Sequence, residues 1–370
     1  MTTEKLVKYL KISSEIAQQI QAGVLKPGDQ LPSTRELALY HNASVLTIRQ
    51  AVAHLAKSGL VRSSQGKGTF VADAIQSKIQ EMPSIRLIIG TGHEAFEHDR
   101  FNDLLLHHIC VHASESGMST NVSILDRHQS INDFLRRENT SNLKNGIILL
   151  TAGEELSSSS LHLLRENRIP YVVIPYERRD GIPQVRADGE QGWLRCFREL
   201  QLLGHQHILI LSGYNSLPDV AKVTDELGIP ITPSNLLTII PGEESSGYAA
   251  IQRALEQKVE FTAVVCSGDN ATLGAVKALF AANKNIPRDI SVISYDRYAW
   301  IDSVLPVKIT GCQQDLRSIS RAVLDFIIEQ KTAGIEIVRD IQIPMEFITG
   351  NSCAMHPDGI RRLLDQARSQ

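Results

Sequence analysis

The residues with the clearest capacity for chemistry in this 370-residue sequence fall into three groups. Gly90-Thr91-Gly92-His93-Glu94-Ala95 follows the apolar run 86–89 and fits GxGxxA, a pattern whose backbone amides can hold a pyrophosphate at a helix N-terminus. A dinucleotide site also asks for an acidic residue ending a second strand ~20 residues on. Neither that residue nor a Tyr-x-x-x-Lys pair is present. Histidines form the second group. His93-Glu94 to His98 is one residue too long for a zincin motif, which sets the two imidazoles on different helix faces. His108 and His112 share a face but have no third ligand in sequence, so neither a metal nor a cofactor is expected. The third group is a single carboxylate, Asp296, which ends the β-prone run Ile290-Ser291-Val292-Ile293-Ser294-Tyr295. A short acidic side chain there stands where an α/β sheet opens into its crevice. No Gly-x-Ser-x-Gly elbow occurs, so serine-nucleophile chemistry has no carrier.

The elements that must position such groups divide the chain in two. Ile12, Ile16 and Ile20 recur at helical spacing with Tyr9, and the stretch stops at Gly23 before the turn pair Pro27-Gly28. Ser33 with Glu36 three residues on is a capping box that starts a short second helix. Ser44 can cap a third, in which Ile48, Val52 and Leu55 face inward while Thr47, Arg49 and Gln50 lie off that stripe. Two β-prone pieces, 60–62 and 69–71, flank Gln65-Gly66-Lys67-Gly68, whose glycines allow a tight hairpin. Three helices and a hairpin describe a winged helix-turn-helix over residues 1–72. Residues 73–84 lose periodicity and read as a linker. Beyond it, strand-like runs at 86–89, 121–125, 146–150, 171–174, 207–211, 236–240, 263–266 and 291–294 alternate with helical patterns, the signature of an α/β fold with parallel sheets.

Composition and charge narrow the function. Hydrophobic residues make up 42% and charged residues 21%, and no segment approaches the ~18 uninterrupted apolar residues of a membrane span. The N-terminus lacks the apolar core of a secretory signal, so a cytoplasmic location is expected. Five cysteines lie far apart without a CxxC pair, which argues against both disulfide staples and a zinc cluster. The net charge of −3 hides an asymmetry. Residues 1–72 hold nine Lys and Arg against four Asp and Glu, a balance of +5, and the remainder holds 29 against 37, a balance of −8. A basic head on an acidic body suits a polyanionic partner for the head alone.

Residues 9–71 resemble the GntR-type winged helix. The motifs that carry the resemblance occur in order: Pro27-Gly28-Asp29-Gln30-Leu31-Pro32-Ser33-Thr34-Arg35-Glu36-Leu37-Ala38, Ser44 to Arg49 with Ala51, Gly59-Leu60-Val61, and Gly66-Lys67-Gly68-Thr69-Phe70-Val71. The resemblance implies DNA contacts from Arg35, Thr47, Arg49 and the wing glycine Gly66, and Ser44 and the wing's Lys67, the latter as a phosphate contact, are further candidates. The chemistry agrees: an arginine on a groove-lying helix binds guanine bidentately or clamps phosphate, and a threonine touches a phosphate or a thymine methyl. Val45 departs from the pattern, which usually has an arginine there.

Residues 85–353 resemble the sensor core of LacI/GalR-type repressors, itself similar to periplasmic sugar-binding proteins. The landmarks include Asn145-Gly146-Ile147-Ile148, Arg168-Ile169-Pro170-Tyr171, Val185 with Asp188, Leu203-Gly204-His205, Phe261-Thr262-Ala263, the run from Ile286 to Asp296, and Gln314-Asp315. The resemblance implies two Rossmann-like lobes, about 85–187 with 315–335 and about 188–314 with 336–353, followed by a tail over 354–370. It also implies a homodimer and a ligand between the lobes, with Asp296 and Gln314 as polyol-binding residues. His93 and Phe96 are candidates for the opposite wall, with core packing as the alternative. Glu177 joins them, within Pro175-Tyr176-Glu177-Arg178, where an Asp is expected. The usual arginine after the fifth strand has no counterpart in 213–228, where Lys222 is the sole cation.

The expected protein is therefore a ligand-responsive transcriptional repressor that binds operator DNA and a sugar-like effector. A linker without glycine and with one proline would relay lobe motion to the head. A nicotinamide-dependent enzyme with a regulatory head and a solute-binding protein are the alternatives.

Overall fold

A computed structural model describes residues 3–357, except 22, 65–67, 73–83, 91–99, 127, 152–153, 176 and 241. It resolves into two compact units, Met1–Val185 with Leu316–Ile341, and Arg186–Asp315 with Gln342–Gln370. The chain passes between them after Val185, Asp315 and Ile341.

The first unit begins with the head. Helix α1 (Thr3–Gln21) turns Ile12, Ile16 and Ile20 into a small core with Leu37 of α2 (Thr34–Tyr40) and with Ile48, Ala51, Val52 and Leu55 of α3 (Val45–Lys57). Val61 and Val71 close that core from an antiparallel hairpin, β1 (Val61–Ser64) and β2 (Gly68–Val71), paired Val61 with Val71 through Ser64 with Gly68. Gly68 has φ +115°, and a Cβ there would fall 2.4 Å from Gln30 Nε2, so the wing base accepts only glycine without displacing Gln30.

The rest of the unit is a sheet of β3 (Ser84–Ile89), β4 (Ser119–Ile124), β5 (Ile147–Leu150), β6 (Tyr171–Ile174), β7 (Gln184–Ala187) and β13 (Asp340–Ile343), in the order β4-β3-β5-β6-β7-β13. Its first five strands thus run 2-1-3-4-5, a doubly wound order in which crossover helices cover the faces. Two of those helices, α4 (Arg100–Glu115) and α12 (Leu316–Ala333), are joined by a 2.7 Å hydrogen bond between His112 Nδ1 and Ser320 Oγ. His112 is therefore tied to α12 by this hydrogen bond.

The second unit repeats the order. Strands β8 (Ile208–Ser212), β9 (Leu236–Thr238), β10 (Ala263–Ser267), β11 (Ser291–Tyr295) and β12 (Thr310–Gln314) run β9-β8-β10-β11-β12, with β14 (Met345–Ile348) antiparallel on β12. Val264, Val265, Val292 and Ile293 are fully buried, as strands covered on both faces must be. Each of the eight expected strand runs is found. Four strands with polar or glycine-containing sequences, β7, β12, β13 and β14, were not expected.

Candidate DNA-reading surface and effector site

Capping fixes the starts of α2 and α3 in the head. Ser33 Oγ accepts the Glu36 N–H at 3.2 Å while Glu36 Oε2 accepts the Ser33 N–H at 2.7 Å, the reciprocal box read from sequence. Arg35, next to that box on α2, is exposed. Ser44 Oγ accepts the Thr47 N–H at 3.1 Å, and the two hydroxyls lie 2.7 Å apart. Thr47 is only 2% exposed, so its hydroxyl serves the helix start. Arg49 is exposed on the same helix, as are Val45 and Leu46, which give the N-terminal turn an apolar tip. The structure thus brings Arg35, Ser44 and Arg49 to the surface and holds Thr47 beneath it. Gly66 and Lys67 at the wing tip lie outside the described residues.

In the second unit, Asp296 follows directly on β11 and Gln314 ends the adjacent parallel strand β12. Gln314 Nε2 donates to Asp296 Oδ2 at 3.0 Å, and Tyr298 Oη donates to Asp296 Oδ1 at 2.9 Å. Both candidates therefore meet, each at the carboxyl end of its strand. Asp296 has φ +61°, a left-handed conformation that aspartate tolerates and β-branched residues do not. The approach of the two strands depends on Gly311: a Cβ there would sit 1.9 Å from the Ser294 carbonyl oxygen. The strand end is braced from below. Tyr295 stacks on Trp193 of helix α7 (Gly189–Leu202) with ring centres 4.2 Å apart and planes 7° apart. Arg297, almost fully buried, pairs with Asp302 at 2.8 Å.

Aromatic groups beside the carboxylate were missed from sequence. Tyr298 holds Asp296, and the Trp300 indole N–H donates to Asp269 Oδ2, at the start of helix α10 (Asp269–Ala281). The signal was present in Tyr295-Asp296-Arg297-Tyr298-Ala299-Trp300, three aromatics within six residues. A second acidic group lies near the Asp188 cap of α7. Burial, and then the charge of Glu190, raise the Asp219 carboxyl above its ordinary range. Lys222 is not free to replace the missing arginine, because its Nζ pairs with Glu190 at 2.6 Å.

In the first unit Glu177 is exposed after β6. His93 and Phe96 lie outside the described residues, as does most of the GxGxxA segment. Among the described residues no cluster of three or more His, Cys, Asp or Glu could hold a metal ion. The five cysteines are free thiols, four of them buried. Among the same residues no helix is long and apolar enough to cross a membrane.

Residues 8–71 match the family of bacterial regulatory proteins called gntR, and residues 199–353 match the periplasmic binding protein-like domain. The chain is a transcriptional regulator that joins a GntR-type head to a LacI-type sensor fold. Over 95% of its length the regulator is 25% identical to the arabinose metabolism transcriptional repressor of Geobacillus stearothermophilus, covering 99% of that protein. It is 24% identical to the probable HTH-type transcriptional repressor ExuR of Bacillus subtilis, over 64% of the regulator and 70% of the relative. Among solved structures, the regulator's fold is similar to that of a sugar-binding LacI-family regulator from Escherichia coli, with a TM-score of 0.60 and 20% identity over 74% of the regulator and 99% of that chain. A LacI-family regulator from Enterococcus faecium with bound ribose gives a TM-score of 0.59 and 19% identity over 73% and 99%.

Proposed function

We propose that the regulator is a cytoplasmic repressor that binds a pseudo-palindromic operator as a homodimer and takes a sugar or related polyol as effector, without a catalytic role. The observation that carries the reading is Asp296, presented at the carboxyl end of β11 by Gln314 and Tyr298. A carboxylate held at a strand end by an amide and a phenol donor is a fixed acceptor, and charge-assisted bonds from polyol hydroxyls to a carboxylate are strong enough to select that class. The relatives favour the same class: one regulates arabinose metabolism by name, and one neighbouring structure holds ribose.

On the DNA side, Arg35 and Arg49 are the base- or phosphate-contacting residues, with Val45 and Leu46 set against thymine methyl groups. Ser44 and Thr47 set the angle at which helix α3 enters the groove. Gly66 and Lys67 belong to the wing that would approach the minor groove or the backbone. Effector binding shifts the operator-competent population, and a coupling of ~1 to 3 kcal/mol changes occupancy 5- to 150-fold. His93, Phe96 and Glu177 remain proposed contributors from the first lobe.

A thermal-shift screen of the purified regulator against sugars, polyols and nucleosides tests the effector class. A ligand at 100 times its Kd adds ~2.7 kcal/mol of stability. Stabilisation by a sugar or polyol is the expected result. Stabilisation by a nicotinamide dinucleotide, with none by any sugar or polyol, would replace this reading with that of an enzyme.

A further inference from the structure

Within the first unit the head is not an isolated bead. One face of α1 carries Leu10, Ser13, Ser14 and Ala17, spaced i, i+3, i+4 and i+7, while Ile12, Ile16 and Ile20 point into the head's own core. Leu10 is 5% exposed yet takes no part in that core. It lies where α3 of the head and the sensor lobe close on α1. Leu10, Ser13, Ser14 and Ala17 line a cavity of about 70 Å³ whose opposite wall is Cys110 and Ser114 of α4, Met118, and Thr120 and Val122 of β4. Strand β4 is the edge of its sheet, with β3 on one side only. An uncovered edge strand invites pairing with other chains, and a helix laid over it is one way to prevent that. At the rim, His54 of α3 feels the charge of His107 on α4, and Tyr9 of α1 lies close to Cys110 of α4, so three helices meet beside β4 here.

We propose that the head is seated on the first lobe through this face of α1, and that α4 is the element through which a change in that lobe reaches the head. The lever is favourably placed. Its chain enters from the carboxyl end of β3, where α/β sheets bind ligands, and its last two turns carry Cys110 and Ser114 beneath α1. The seat is built to release: serines replace large apolar groups, and the residual cavity forfeits dispersion contacts that a close-packed interface would keep. Seating also leaves Arg35 and Arg49 exposed, so it does not compete with DNA. This relay differs from one through residues 73–84 alone, since a seated head moves with the lobe whatever the linker's stiffness. The signalling half rests on the regulator reading, whereas the seating half does not, and the test below addresses the seating.

Cys110 reports the seat. It is 4% exposed, and burial pushes its thiol up to about 11, so alkylation requires the site to open. Iodoacetamide labelling of the full chain, read by mass spectrometry, should show Cys110 protected in the wild type. Labelling should be at least tenfold faster in Ser14→Arg, which acts from the head, and in Ser114→Arg, which acts from the lobe. Gln18→Arg, on the exposed face of α1, should leave the rate unchanged. Equal Cys110 rates in the wild type and both arginine variants would overturn the proposal. Should neither arginine variant fold by circular dichroism, hydroxyl-radical footprinting of the wild type decides. Protection of Leu10 relative to the exposed Leu39 supports seating, and equal oxidation overturns it.

Discussion

Gln314 and Asp296, eighteen residues apart in sequence, are joined by a 3.0 Å hydrogen bond across the ends of two neighbouring parallel strands. The bond orients the carboxylate without neutralising it, because the donor is an amide. On the proposed effector site, a hydroxyl approaching Asp296 would meet a fixed acceptor, which lowers the reorganisation cost of binding.

Asp296→Asn keeps the size of the side chain, and asparagine also tolerates the left-handed backbone at this position. It loses the charge-assisted bond to an effector hydroxyl, worth ~1.5 to 3 kcal/mol. Calorimetry with the sugar or polyol selected by thermal shift should show affinity reduced tenfold or more, while DNA affinity without ligand is retained. Unaltered effector affinity would reduce Asp296 to a loop residue.

Arg49→Ala tests the reading helix. If Arg49 lies on a phosphate, DNA affinity falls for every sequence and the salt dependence flattens by about one unit of slope. If it reads guanine, one base position relaxes at a cost of ~1 to 3 kcal/mol. Gel shifts at several salt concentrations separate these outcomes, and a variant with neither change removes Arg49 from the interface.

Ser44→Ala removes the cap that accepts the Thr47 N–H and leaves the Thr47 hydroxyl without its 2.7 Å partner. Loss of a serine cap costs ~1 kcal/mol. Chemical denaturation should show a destabilised head, and DNA binding should weaken because the first turn of α3 frays. Unchanged stability would mean that the cap is not formed in solution.

The seat should loosen in acid. Burial holds His54 below its ordinary range, with smaller contributions from Lys57 and His107, and burial alone does the same to His107, whose Nδ1 has no hydrogen-bond partner among the described residues. Tyr9 and Cys110, both raised, face the same space and remain neutral across this interval. Release uncovers His54 on the head and His107 on the lobe and moves both imidazoles toward the ordinary ~6.5, so the released state binds more protons than the seated one below that pH. Seating is thus unaffected above ~7 and weakens as pH falls through ~6.5 toward the lowered values. Between pH 7.5 and 5.5 the wild type should lose more thermal stability than His54→Gln in scanning fluorimetry. Equal losses would exclude the titration.

Much of this architecture was legible because its signals are local. The Ser33–Glu36 box and the Ser44 cap are four-residue patterns whose hydrogen bonds form as read. Apolar runs such as 147–150, bounded by turn residues, suit strands covered on both faces, and that is where this one lies. Strand β12, Thr310-Gly311-Cys312-Gln313-Gln314, escaped because a strand near a sheet margin is held by its ladder rather than by an apolar run. Its glycine, which reads as a breaker, is demanded by the Ser294 carbonyl. The pairing of Tyr298 with Asp296 was hidden for a different reason: only the left-handed turn at Asp296 brings the two side chains together. The α1 seat was hidden because Leu10 and Ala17 read as ordinary members of an amphipathic helix until the lobe beneath them is seen.

The most direct test of the account is DNA selection with and without effector. The full-length regulator is incubated with randomised duplexes, and the enriched sequences are titrated in the absence and presence of the sugar or polyol found by thermal shift. Enrichment of a twofold-symmetric sequence, with affinity changed at least fivefold by that ligand, is the expected result. Binding indistinguishable from that to random DNA, or a symmetric site whose affinity the ligand leaves untouched, would contradict a ligand-responsive repressor.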